Sequence, residues 1–291
     1  MNYNKLIQNK KILITGGAGF VGSNLAKRLL DCGNKVYVID NFFTGKKSNC
    51  HKGINYKKSQ TKDIFNLYKK IKLDYIYHLG EYSRVEQSFQ DIDLVFSYNS
   101  YPFLEILKLV KYHNAKLIYS GSSTKFSKQL NEIESPYSFS KRINTEFLKQ
   151  YAKWFNLKYA ITYFYNVYGK NEISRGKYAT VIAKFLYLKK KKAKFLPITS
   201  PGTQKRRFTH IDDIVNGLMI VGKKGLGDGY GIGSKKNYSI IEIARLLNMK
   251  YRLTAPKKGN RMDALLKTKK TIHLGWKEQH NLKDYMKTLH D

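Results

Sequence analysis

Cysteine and proline are scarce in this chain of 291 residues, and acidic side chains are heavily outnumbered. Cys32 and Cys50 are the only cysteines, with no C-x-x-C pair, and the seven histidines form no H-x-x-H cluster. That argues against a disulfide scaffold and a structural zinc site, and no metal is expected. No apolar run approaches the ~18 residues of a membrane span, and the N-terminus has no signal-peptide core. A soluble, unexported, cytoplasmic protein with no membrane partner is expected. No fixed-period repeat occurs, which excludes solenoids and propellers.

The shortage of acid leaves 54 Lys and Arg against 21 Asp and Glu, a formal charge of +33. Such an excess normally raises nucleic acid as a partner, but here lysine is scattered through every segment instead of forming a stripe. The densest run, Lys189-Lys190-Lys191-Lys192, closes a helical pattern and reads as a solvated helix face. No nucleic-acid partner is expected, and the positive field favours an anionic substrate.

What the chain does have begins at Ile12-Leu13-Ile14-Thr15, a short apolar run leading into Gly16-Gly17-Ala18-Gly19-Phe20-Val21-Gly22 and then a helical pattern. Gly17, Gly19 and Gly22 satisfy G-x-G-x-x-G, while Gly16, Gly19 and Gly22 satisfy the looser G-x-x-G-x-x-G. Either spacing lets backbone approach a pyrophosphate at a helix N-terminus. A second apolar run, Lys35 to Ile39, ends in Asp40, close to the position of a carboxylate that binds adenosine ribose hydroxyls. A carboxylate there repels a ribose phosphate, so the expected cofactor is NAD.

Strand and helix patterns then alternate. Leu73–Leu79, Ala115–Ser120 and Ala160–Tyr165 read as strands, with helices near Tyr101–Tyr112 and Tyr137–Phe155. The reading is an α/β, doubly wound parallel sheet of Rossmann type with a smaller C-terminal substrate-binding region. Its expected division is 1–168 for the NAD-binding domain, with 206–233 returning to it, and 169–205 and 234–291 for the substrate region. The strand ends at Gly80, Ser122 and Asn166 should share one edge, where ligands bind in such sheets. Tyr137 and Lys141 are one helical turn apart, so both emerge on one face, where a lysine can help make a tyrosine a usable base.

In order and spacing these segments resemble the extended short-chain dehydrogenase/reductase family, specifically the nucleotide-sugar epimerases and dehydratases typified by UDP-galactose 4-epimerase. The likeness runs through the T-G-G-A-G-F-V-G-S-N-L opening, Ile39-Asp40-Asn41, Lys62-Asp63-Ile64, His78-Leu79, Ser122-Ser123 and Pro136-Tyr137 to Lys141. It continues through Phe164 to Gly169, Arg206 to Asp213, Gly231 to Ser234 and Leu274-Gly275-Trp276.

The resemblance implies Tyr137 as catalytic base and acid. It implies Lys141 on the nicotinamide ribose and tuning Tyr137, with Ser122, or Ser123 if the register slips by one, bridging Tyr137 and the sugar. Phe20, Val21, Asn41, Leu79, Gly80 and Asn99 would lie at the cofactor, and Asp63 and Ile64 at its adenine. Asn166, Arg206 and Lys257 would hold the substrate's diphosphate. A UDP-sugar substrate and a homodimer are implied with them.

Where relatives that dehydrate or decarboxylate commonly carry an acid, this chain has Thr124, followed by Lys125-Phe126-Ser127 with no acid before Glu132. C4 epimerisation of a UDP-hexose or UDP-N-acetylhexosamine is therefore the expected reaction. A dehydratase or decarboxylase is the alternative within the family, and a non-catalytic NAD-binding protein the alternative outside it.

Overall fold

A computed structural model describes residues 3–126, 134–259 and 262–288. Seven parallel strands form its central sheet: β1 (Lys11–Thr15), β2 (Lys35–Asp40), β3 (Asn55–Lys58), β4 (Tyr75–His78), β5 (Lys116–Ser122), β6 (Tyr159–Phe164) and β7 (Gly227–Ile232). Their spatial order is β7-β6-β5-β4-β1-β2-β3. The order reverses between β1 and β4, where a doubly wound sheet opens a crevice beyond the strand ends.

Helices flank the sheet: α1 (Phe20–Asp31), α2 (Ile64–Tyr68), α3 (Ile92–Asn99), α4 (Phe103–His113), α5 (Pro136–Phe155) and α7 (Ile211–Lys224), while α6 (Val181–Lys190) and α8 (Ile240–Leu246) pack apart from it. Leu25, Ala26 and Leu29 of α1 join Ile214, Leu218 and Val221 of α7 against one face. Phe103, Ile106 and Val110 of α4 and Leu148 of α5 pack against the other. Burial on both sides explains why β1 reads as a continuous apolar run instead of an alternation. A third cluster lies under α6 and α8, with Leu196, Ile198, Tyr238 and Leu282. Between the two stretches that build that cluster, α7 and β7 return the chain to the main sheet.

Boundaries differ from the sequence reading for local reasons. β4 ends at His78 because the amides of Leu79 and Gly80 both turn to the Thr15 hydroxyl, at 3.1 and 2.9 Å. α4 begins at Phe103 with Pro102 at its N-cap, not at Tyr101. α5 is started by Ser135, whose hydroxyl accepts from the Ser138 amide, with Pro136 in the first turn, and stopped by Asn156 in the left-handed region. Ser127 and Glu132 lie outside the described residues.

Candidate active site

The glycine turn separates its residues by task. Gly16 has φ +71°, and a Cβ there would sit 2.6 Å from the Gly80 Cα, so only glycine fits between β1 and the β4 loop. A Cβ on Gly22 would lie 2.2 Å from the Gly16 carbonyl oxygen, so the first turn of α1 packs directly on the turn backbone. Gly17 instead faces the Val38 side chain, away from the ligand side. Gly16, Gly19 and Gly22 all line one large cavity and Gly17 does not, so the looser of the two spacings is the one the fold uses.

Asp40 closes β2 beside that turn. Its carboxylate accepts from the amides of Ala18 at 2.8 Å and Phe42 at 2.7 Å. Burial pushes its pKa up, and those amides pull against the shift. An anion held at this end of the cavity disfavours a phosphate beside it. Asp40→Ala is expected to narrow the preference for NAD over NADP by tenfold or more, as ~1.4 kcal/mol of lost repulsion would do; calorimetric titration of both dinucleotides checks it.

The same cavity is lined by Phe20, Val21, Asn41, Leu79 and Gly80 at its turn end. Ser122, Ser123, Tyr137, Lys141 and Asn166 line its other end. Ser122 is buried at the tip of β5 and its hydroxyl accepts from the Thr124 hydroxyl at 2.8 Å, while Tyr137 is half-buried. The remaining expected residues stand outside the lining. Asp63 accepts from the Ser59 hydroxyl, and Ile64 is buried in the core beneath α2; Gln60 and Thr61 line the cavity in their place. Asn99 is buried and ties the β4 loop to α5, accepting from the Tyr82 amide and donating to the Ser140 hydroxyl. Arg206 donates to the Lys205 carbonyl, and Lys257 pairs with Glu86 at 2.5 Å.

Three charged residues that the sequence reading passed over also line the cavity: Glu81, Arg84 and Glu172. Glu81 is the most enclosed. Its side chain is 1% exposed and its partner Lys141 5% exposed, and the two form a direct ion pair. Asn144 donates to the same carboxylate at 2.9 Å, the Tyr119 hydroxyl at 3.3 Å, and the His78 ring nitrogen lies 3.5 Å away. Lys141 also donates to the Ser120 carbonyl at 2.6 Å. Burial is the largest influence and works to raise the Glu81 pKa, but Lys141 and His78 together outweigh it and leave the carboxyl below its ordinary range. Arg84 donates to the Tyr178 carbonyl from Nε at 3.0 Å and Nη2 at 2.7 Å, and to the Ser83 carbonyl from Nη1 at 3.0 Å. The signal for both was available: an acid and an arginine follow within six residues of a strand's carboxyl end, where ligands bind.

Glu172 accepts from the Gly169 amide with one oxygen, and its other oxygen is buried without a partner. Burial raises its pKa from 4.5 to about 7. The folded chain thus holds this proton more tightly than the unfolded chain, and the stability it lends at acid pH is lost as pH rises through about 7. Of order 2 kcal/mol should disappear between pH 5 and 8, at ~1.4 kcal/mol per unit discounted for partial exposure. Urea unfolding should show that slope flattened in Glu172→Gln.

One histidine and carboxylate group close enough for a metal occurs among the described residues, at His210, Asp212 and His280, outside the cavity lining. Its atoms serve the fold: His210 Nδ1 accepts the Asp212 amide at the start of α7, and His280 Nδ1 meets Asp213 at 3.1 Å.

The model of the NAD dependent epimerase/dehydratase family matches residues 12–233. Over 256 residues the chain is 28% identical to UDP-glucuronic acid decarboxylase 1 of Xenopus tropicalis, a match covering 82% of this chain and 59% of that protein. The chain thus spans little more than half the length of that relative. A Methanocaldococcus jannaschii protein named "Putative UDP-glucose 4-epimerase" is 28% identical over 302 residues, covering 95% of this chain and 96% of that one. The crystal structure of a Thermotoga maritima UDP-glucose 4-epimerase with UDP-glucose superposes with TM-score 0.91 at 24% identity, over 96% of this chain and 97% of that one. That likeness is one of fold.

Proposed function

This chain belongs to the NAD dependent epimerase/dehydratase family, and from that premise we propose that it inverts C4 of a UDP-hexose or UDP-N-acetylhexosamine. The observation that carries the reading is one cavity that holds the glycine turn and Asp40 at one end and Tyr137, Ser122 and Asn166 at the other. Its residues fit NAD: Gly16, Gly19 and Gly22 bring bare backbone to the cavity wall at the start of α1, and the Asp40 carboxylate lines the same cavity at the end of β2. When bound, NAD supplies the reversible two-electron acceptor the reaction needs. Lys141, two of whose donors serve Glu81 and Ser120, is assigned to the nicotinamide ribose with its third.

In this reading Tyr137 takes the proton of the sugar's 4-hydroxyl, Ser122 orients that hydroxyl, and Asn166 holds the diphosphate. The 4-keto sugar then turns within the cavity. Tyr137 returns the proton to an alkoxide of opposite configuration, so one group serves both directions. At Thr124, where relatives that act at C5 commonly carry an acid, this chain offers a hydroxyl, which favours epimerisation.

Glu172 favours a second reading. A cavity-lining carboxyl that keeps its proton to about pH 7 could serve the extra proton transfer of a dehydratase or decarboxylase. A panel of nucleotide sugars with products resolved by NMR separates the cases. Epimers support the proposal, loss of water or carbon dioxide supports the second reading, and no product with any sugar overturns both.

A homodimer through α4 and α5 is part of the proposal. Tyr112, Leu104, Ile143 and Trp154 lie exposed on those helices, and burying such a face is what a stable dimer requires. Among the described residues no helix is long and apolar enough to cross a membrane.

A further inference from the structure

Residues 170–180 lead from Gly169 to the start of α6, and none of them is fully buried. A segment without buried apolar anchors is held by its polar contacts and opens at lower cost than the core. Those contacts reach both sides of the cavity. Towards α1, beside the glycine turn, the Asn24 amide donates to the Lys170 carbonyl at 3.0 Å and the Asn171 amide to the Ser23 hydroxyl at 3.1 Å. Towards the loop after β4, Arg84 holds the Tyr178 carbonyl through two nitrogens, and Gln87 donates to the Lys177 carbonyl at 3.1 Å.

Asp91, just before α3, closes this second side. One carboxylate oxygen accepts from the Tyr178 hydroxyl at 2.9 Å and the Tyr82 hydroxyl at 2.8 Å, and the other takes the Lys177 ammonium at 2.7 Å. The carboxylate caps no amide of α3, so its removal leaves the helix start intact. Tyr178 also packs on Phe43, with ring centroids 5.2 Å apart. Phe43 lines the cavity beside Asn41. Phe42, with φ +59°, is in a left-handed conformation costly for a bulky residue, and its amide is fixed to the Asp40 carboxylate at 2.7 Å. The wall that carries Asp40 is thus joined to the segment by aromatic packing. Ala179 and Thr180 line the cavity, whereas Lys177, Tyr178 and Asp91 stand outside its lining.

We propose that residues 170–180 are a strap across the cavity, latched by Asp91, and that NAD enters and leaves only when the latch opens. The inference rests on the placement of NAD in this cavity, and Asp91 acts in it as a positioning residue. Every latch contact joins one protein group to another, so opening costs the same with and without the dinucleotide. Weakening the latch then speeds entry and exit alike and leaves their ratio, the affinity, near its original value. A group that touched NAD would instead change the exit rate.

Stopped-flow fluorescence with NADH as the probe reads both rates. In Asp91→Ala, which loses one charged pair and two hydroxyl donors, the association and dissociation rate constants should each rise by about tenfold or more, with Kd within about threefold of wild type. Lys177→Met changes an exposed side chain, removes only the ion pair and should raise both rates by about two- to fivefold. It decides alone should Asp91→Ala fail to fold. Dissociation that quickens with association unchanged overturns the inference, and so do rates that stay at their wild-type values. Wild type that binds no NADH overturns it together with the placement of NAD. A panel of sugars giving no product would end the proposed function and leave both rates readable.

Discussion

Tyr137→Phe should lower turnover of the nucleotide sugar by ~10²–10⁴-fold, the range typical of a lost general acid–base group. The side chain lines the cavity together with Ser122 and Asn166, and the substitution removes only its hydroxyl, so packing and backbone stay as they are. NAD should bind with nearly native affinity, because the turn at Gly16, Gly19 and Gly22 and the carboxylate of Asp40 lie at the other end. Loss of kcat with KM within a few-fold of wild type is the pattern expected when an interaction made mainly in the transition state disappears. Steady-state kinetics on an established substrate reads this directly, and near-native kcat would return proton transfer to Ser122 and its neighbours.

The second large effect is on stability. Glu81→Ala leaves the Lys141 ammonium buried without its counter-charge and takes an acceptor from Asn144 and Tyr119. Removing one partner of a buried pair typically costs about 3–5 kcal/mol, much of it the penalty for stranding the other charge. The double variant Glu81→Gln with Lys141→Met strands nothing and should cost far less, about 1 kcal/mol, since neutral groups of similar shape replace a pair whose desolvation was already expensive. Urea unfolding of the single and double variants measures the difference. A single variant as stable as wild type would mean that the pair is not closed in solution.

The sheet was legible in the sequence because parallel strands buried on both faces are written as short apolar runs, and the glycine turn because backbone contact leaves no alternative residue at Gly16 and Gly22. Tyr137, Ser122 and Asp40 could be read because each follows a recognisable strand or opens a recognisable helix. Periodicity could not choose between Gly17 and Gly16, since that depends on which of them faces Val38. Glu81 and Arg84 were harder still. Each is an ordinary charged residue in a loop, and its weight comes from Lys141, Asn144 and Tyr178, which stand 60 to 94 positions away. Asn99 shows the reverse: its motif position was legible, but its amide serves the loop of Tyr82 and the hydroxyl of Ser140.

In the proposed reaction one tyrosine operates a reversible oxidation at C4, and the product differs from the substrate only in configuration there. A UDP-hexose deuterated at C4, incubated with the NAD-loaded protein and followed by NMR and mass spectrometry, tests it most directly. The deuterium should be found on C4 of the inverted sugar, with the mass unchanged and no label released to solvent. Deuterium found at another carbon, or a product lighter by water or carbon dioxide, would contradict it.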